Sequence, residues 1–136
     1  MLAAYMRKAP AFSYFGDGSY PMEPVSVYEI AEAFAKSLEN EDTFKGTFGV
    51  CGNKHYTYKE LLKEIAGALG KNMPLVPVPE FMVKTGIALF GNFSFFPITE
   101  DQFIMLTEGN TCEKREIFSI LNIKERSFPD VIRNYL

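Results

Sequence analysis

The sequence predicts an α/β fold that is mostly helical, a small sheet with five or six helices. Three observations predict it. Several segments carry a capping signal followed by apolar residues at helical spacing. One apolar stretch, Thr47–Cys51, is bounded by Gly46 and Gly52 and lies between helices, as a strand does in a βα unit. The length of 136 residues suits one domain and closes one core.

The elements follow in chain order. Residues 2–8 suit a short helix and residues 11–15 a short strand, and Gly16-Asp17-Gly18-Ser19 is a turn. Residues 24–27 are extended, as residues beside proline tend to be. Ser26 with Glu29 forms a capping box for a helix with Ile30, Ala31, Phe34 and Leu38 on its apolar face, ending near Asn40. Thr57 with Glu60 opens a second helix, with Leu61, Leu62, Ile65, Ala66 and Leu69 inward and Gly70 as its left-handed stop. Residues 74–79 are extended but hold three prolines, which bars them from a central strand. Residues 80–90 form a helix that is apolar nearly all round. Thr99 with Gln102 opens a helix that ends at Gly109, and residues 112–121 form another. Ser127 with Asp130 caps a final short helix carrying Val131, Ile132 and Tyr135. The whole chain, 1–136, reads as one domain without repeats or linkers. Two short strands make no stable sheet alone, so a partner subunit or an upstream domain is expected to complete it.

Composition limits the function. Apolar residues make up 47% and charged residues 23%, which excludes disorder as the dominant state. A net charge of -3 offers no broad field for phosphates, so nucleic acid is not an expected partner. The start lacks the basic segment of a signal peptide. Residues 81–98 are the best membrane candidate, but Gly86, Gly91, Asn92, Ser94 and Pro97 interrupt them. The chain therefore reads as cytoplasmic.

Candidate chemistry is sparse. Two cysteines make no disulfide framework, and His55 is the single histidine. Neither four cysteines, nor two cysteines with two histidines, nor three histidines can be assembled, so a metal site would be mostly carboxylate and none is assigned. Cys51 and His55 lie four apart, but the adjacent sequence offers neither a third ligand nor an orienting partner. They read as a buried strand cysteine and a surface loop histidine. Gly16-Asp17-Gly18-Ser19-Tyr20-Pro21 begins like a dinucleotide fingerprint, yet Pro21 occupies the third glycine position and no helix opens there. No tyrosine is followed four residues later by lysine: Tyr5 meets Ala9, Tyr56 meets Glu60 and Tyr58 meets Leu62. The carboxylate pairs Glu39/Glu41/Asp42 and Glu100/Asp101 sit at helix ends and read as caps. No catalytic or cofactor-binding residue is assigned. Residues 90–97 are unusual, because Phe90, Phe93, Phe95 and Phe96 crowd a loop that should run over the surface. Those rings either fold into the core or form an apolar contact surface for a partner, a lipid-like ligand or a membrane face.

The order of motifs resembles a family. Phe12-Ser13-Tyr14-Phe15-Gly16-Asp17-Gly18 followed by Pro24-Val25-Ser26-Val27-Tyr28-Glu29-Ile30-Ala31 resembles the C-terminal half of extended and atypical short-chain dehydrogenases. Residues 47–52, Tyr56-Thr57-Tyr58-Lys59-Glu60-Leu61-Leu62, Ala68-Leu69-Gly70 and Val76-Pro77-Val78-Pro79 continue the match. Pro97-Ile98-Thr99-Glu100-Asp101-Gln102 with Met105-Leu106 looks most like the atypical subgroup. That subgroup includes the NAD(P)H-binding accessory subunit of NADH dehydrogenase (complex I) and its prokaryotic relatives.

The resemblance implies a substrate-side C-terminal domain. The Rossmann domain, with its glycine-rich loop and Tyr-x-x-x-Lys pair, would lie upstream. NAD(P) is then implied for the full-length protein and none for this portion, which is expected to be inactive alone. Strand Thr47–Cys51 would join the sheet of the larger protein. Two further expectations stand beside this one: an independent domain that dimerises through its exposed strand edge, and a non-catalytic assembly subunit that docks on an apolar partner or a membrane surface. One departure bears on the substrate. Epimerases of the family carry an arginine shortly before the valine-rich strand, whereas Tyr20-Pro21-Met22-Glu23-Pro24 has none. A guanidinium fork suits a diphosphate and Glu23 does not, which argues against a UDP-sugar. Asn122 stands where glycine is common and should take the left-handed conformation.

Overall fold

The computed structural model describes residues 2–90, 100–113 and 116–136. The chain forms two compact units, Met1–Met22 with Tyr56–Asn110 and Glu23–His55 with Thr111–Leu136. Among the described residues there are seven α-helices and two small two-stranded sheets.

The first unit holds α1 (Leu2–Lys8), β1 (Phe12–Phe15), β2 (Pro21–Met22), β3 (Tyr56–Thr57), α3 (Tyr58–Ala68), β4 (Leu75–Val78), α4 (Glu80–Phe90) and α5 (Glu100–Glu108). Strand β1 pairs in parallel with β4, from Phe12 opposite Leu75 to Phe15 opposite Val78. A two-stranded sheet leaves β4 with an open edge, which is why Pro77 is tolerated there. Strands β2 and β3 pair antiparallel, Pro21 opposite Thr57 and Met22 opposite Tyr56. Helix α3 opens on the expected capping box, with Thr57 and Glu60 satisfying each other's backbone amides. It buries Leu62, Ile65 and Ala66 and ends at Gly70 with φ +67°. Met6 and Leu62 are fully buried. Val83 of α4 and Phe103 of α5 form a second cluster with Phe15, Val78 and Ile87.

The turn at residues 16–19 forms as expected. Gly16 and Gly18 have φ of +56° and +72°, and a Cβ on Gly18 would lie 2.8 Å from the Tyr14 ring. Hydrogen bonding from the Ser19 side chain, and then from its amide at 2.9 Å, holds the Asp17 carboxyl below its ordinary value.

The second unit holds α2 (Val27–Ser37), a 3-10 turn (Glu41–Thr43), α6 (Glu116–Ile120) and α7 (Phe128–Tyr135). Its core is Ala33, Ile117, Phe118, Leu121 and Ile123, with Val25, Phe48 and Val50 packed against it. Asn122 adopts φ +49° as expected, and Lys36 Nζ donates to the carbonyls of Leu121 and Asn122 at the end of α6.

Four expectations are corrected in this unit. Residues 47–51 are not a strand: Phe48 and Val50 alternate onto the core, but no strand among the described residues lies alongside to pair. The expected apolar face of α2 is only partly inward: Ile30 is half-buried, but Phe34 is 71% and Leu38, just past the helix, 79% exposed. The inward residues are Glu29 and Ala33. Burial of the Glu29 carboxylate sets this rotation, because its oxygens accept from the amides of Ser26 at 3.0 Å and Arg126 at 2.6 Å. Helix α6 begins at Glu116 rather than near Cys112, whose amide is taken by a side chain. Ser127 precedes α7 but makes no capping bond with its side chain.

Three phenols of the first unit tie its fold to pH. Burial, and a hydrogen bond donated to Glu80 Oε1 at 2.7 Å, push the Tyr20 phenol well above its ordinary value. Burial also raises Tyr56 and Tyr58. Folding therefore favours the protonated phenols, so their contribution is complete below the ordinary phenol value of about 10 and is lost as pH climbs past it. Denaturant midpoints measured across that range should fall, and these three tyrosines should give phenolate absorbance only with unfolding. A midpoint unchanged above the ordinary phenol value would contradict this.

Candidate functional site

The second unit gathers its reactive side chains around Glu23. Its segment Glu23–His55 begins at Glu23 and ends at His55, and Cys112 stands near the start of Thr111–Leu136. The Glu23 side chain is 3% exposed. Its Oε1 lies 3.1 Å from His55 Nδ1, and its Oε2 accepts the Cys112 amide at 3.0 Å. A buried carboxylate needs such partners, since leaving it unpaired would cost several kcal/mol, roughly. The Gly52 amide also donates to the Glu23 carbonyl at 3.2 Å. A Cβ on Gly52 would fall 1.9 Å from the Pro24 carbonyl oxygen, so only glycine lets these two backbones meet.

Cys51 and Cys112 form a disulfide, with Cα atoms 6.0 Å apart across a sequence separation of 61. The expected buried strand cysteine, Cys51, is buried but lies in a loop and is cross-linked. The glutamate that orients His55 precedes it by 32 residues, too far for local spacing to show. Sequence spacing misses the pair for that reason, and Glu23, expected to face a phosphate and repel it, is buried instead. Glu23, Cys51 and Cys112 place their ligand atoms within 4.8 Å of one another.

Beside this cluster the same unit has a cleft of about 270 Å³. Val25, Val27, Phe128, Val131 and Ile132 give it apolar walls, and Arg126 supplies a cation. The guanidinium carbon of Arg126 lies 5.9 Å from the Tyr28 ring centre, and Tyr28 stacks on Tyr135 at 6.0 Å. Glu29 lines the cleft but its carboxylate is occupied by backbone amides. Such a lining suits binding more than proton transfer.

The Gly16–Ser19 turn in the first unit is not a phosphate cradle. The first amides of α3, on Tyr58 and Lys59, donate to the carbonyls of Tyr20 and Gly18 at 2.9 and 3.1 Å. The Tyr14 ring and the Tyr20 hydroxyl fill the space beside the glycines. A cleft of about 410 Å³ lies in the same unit, lined by residues of α4 and α5 such as Ile87, Phe103 and Thr107. Of the expected apolar contact surface, Phe90 closes α4, and Phe93, Phe95 and Phe96 lie outside the described residues. No helix of the described residues is long and apolar enough to cross a membrane.

Known structures share this fold. Over 96% of its length the chain matches a nucleoside-diphosphate-sugar epimerase from Staphylococcus aureus, with a TM-score of 0.70 and 15% identity. Over 92% it matches the triphenylmethane reductase of a Citrobacter species, solved with NADP(H), with a TM-score of 0.64 and 20% identity. It takes up 46% and 45% of those chains, so it spans about half the length of each. No family model matches the chain, and no curated protein matches it significantly. The fold is therefore that of part of an epimerase- or reductase-like protein.

The disulfide should carry much of the second unit's stability. By the loop-entropy argument its reduction costs about 2–4 kcal/mol. Denaturant unfolding with and without reductant measures this, and the double variant Cys51→Ser/Cys112→Ser should lose a similar amount and ignore reductant.

Proposed function

We propose that this chain is the substrate-side, C-terminal portion of an NAD(P)-dependent protein of the epimerase and reductase type. The observation that carries the reading is the match over nearly its whole length to about half of two such structures. In this reading the cofactor and the acid–base residues belong to a Rossmann domain, and this portion shapes the wall facing the substrate. The cleft at Arg126 supports a small, largely apolar substrate group. The lack of arginine in residues 20–24 argues against a UDP-sugar. A narrower kinship, to relatives of the NADH dehydrogenase accessory subunit, rests on the run Pro97–Gln102, half of which lies outside the described residues. Titrating the chain with NADH and with NADPH tests the assignment. No saturable binding at low-micromolar cofactor is expected, and such binding would overturn it.

A second reading is a non-catalytic assembly subunit. Outward Phe34 and Leu38 on α2 favour it, since large apolar side chains exposed together mark contact surfaces. Under this reading the phenylalanines of residues 90–96 dock on an apolar partner or a membrane surface. Replacing Phe93, Phe95 and Phe96 by serine should then leave stability within about 0.5 kcal/mol of the unsubstituted chain. Loss of folding in calorimetry would make those rings core and end the docking reading.

A further inference from the structure

We infer that the Glu23 cluster is a thiol-dependent metal site: with the disulfide reduced, Cys51, Cys112, Glu23 and His55 bind one divalent cation of the zinc class. The inference stands on geometry within the second unit and does not depend on the cofactor reading. Two sulfurs and a carboxylate oxygen already lie within 4.8 Å of one another. Ligand atoms around a tetrahedral zinc sit about 3.3–3.8 Å apart, given bond lengths of roughly 2.0–2.3 Å. Reaching that spacing requires the two sulfurs, bonded to each other in this structure, to part on reduction and the carboxylate oxygen to close on them. His55 Nδ1, 3.1 Å from Glu23 Oε1, stands close to the separation of two ligands on one ion. Its side chain is 58% exposed, which leaves the ring free to turn toward the sulfurs.

The surroundings hold three of the four groups in place. The Gly52 contact with Pro24 fixes Cys51 beside Glu23, and the amide bond from Cys112 to Glu23 Oε2 fixes the other cysteine. That amide bond is also the outer-shell support that ligating carboxylates usually have. Two thiolates favour zinc-class ions over magnesium or calcium, which prefer oxygen ligands. The charges are also suitable, because two thiolates and a carboxylate would be costly together without a cation.

The redox step balances with a dithiol reductant. The dithiol gives two electrons and two protons to the Cys51–Cys112 bond and leaves as its own disulfide, and two thiols result. On binding, both thiols release their protons to water, and His55 shifts its ring proton from Nδ1 to Nε2. In the reverse step a disulfide of the same class accepts two electrons from the two thiolates and two protons from water, the Cys51–Cys112 bond forms again and the ion leaves. Disulfides are uncommon among cytosolic thiols, so the dithiol form is the one such a compartment would favour.

Cobalt(II) reports on the site directly, because thiolate ligation gives a charge-transfer band and tetrahedral geometry gives strong visible absorption. The chain reduced with a phosphine should bind one equivalent of cobalt with both signals, and zinc should displace it. The oxidised chain should show neither. Cys51→Ser and Cys112→Ser should each weaken the charge-transfer band and lower affinity. Glu23→Gln and His55→Ala should lower affinity on the order of tenfold or more. Should the cysteine variants fail to fold by circular dichroism, His55→Ala keeps the test, since its side chain is largely exposed. A reduced chain without a thiolate–cobalt band overturns the inference, as does full binding by the oxidised chain or unchanged affinity in His55→Ala.

Discussion

The second unit depends on two buried carboxylates. Glu23 and Glu29 both lie in the first segment of the unit, and each accepts a backbone amide from the second: Cys112 for Glu23 and Arg126 for Glu29. A carboxylate removed from water is costly unless its oxygens are satisfied, so these two positions allow few arrangements of the segments around them. Glu29 decides which face of α2 turns inward, and Glu23 bonds both His55 and the backbone of Cys112. The apolar core of Ala33, Ile117, Phe118 and Leu121 then fills the space that those bonds define. Hydrophobic burial supplies most of the driving force here, as it does generally, but it is non-directional. Direction comes from the hydrogen bonds.

The first unit solves a different problem. Its glycine turn looks like the start of a nucleotide loop, yet aromatic groups occupy the space a phosphate would need. The first amides of α3, on Tyr58 and Lys59, donate to the carbonyls of Tyr20 and Gly18. A turn so satisfied stabilises the fold and leaves no positive pole for an anion.

Much of the local structure was legible in the chain. The capping boxes at Ser26/Glu29 and Thr57/Glu60, the stop at Gly70 and the left-handed Asn122 follow from interactions over three or four residues. The edge position of the proline-bearing strand follows from its missing amide donor. The candidate site was not legible, because its members come from positions 23, 51, 55 and 112. Cys51 and His55 suggested nothing together because the group that relates them lies 32 residues before His55. Phe34 and Leu38 misled for a related reason. Their spacing identifies a helix correctly, but spacing alone does not say which face a buried glutamate will claim.

The amino-acid sequence by itself determined the α/β class, most helix positions, the turn at Gly16–Ser19 and the absence of a fingerprint for a dinucleotide. Each depends on short-range sterics and hydrogen bonds that neighbouring residues settle among themselves. Only the tertiary structure decided the cystine, the burial of Glu23 and Glu29, the outward face of α2 and the extended, unpaired state of residues 47–51. Those features are contests between distant groups for the same buried space. Their outcome depends on which polar atoms find partners once the chain has closed on itself.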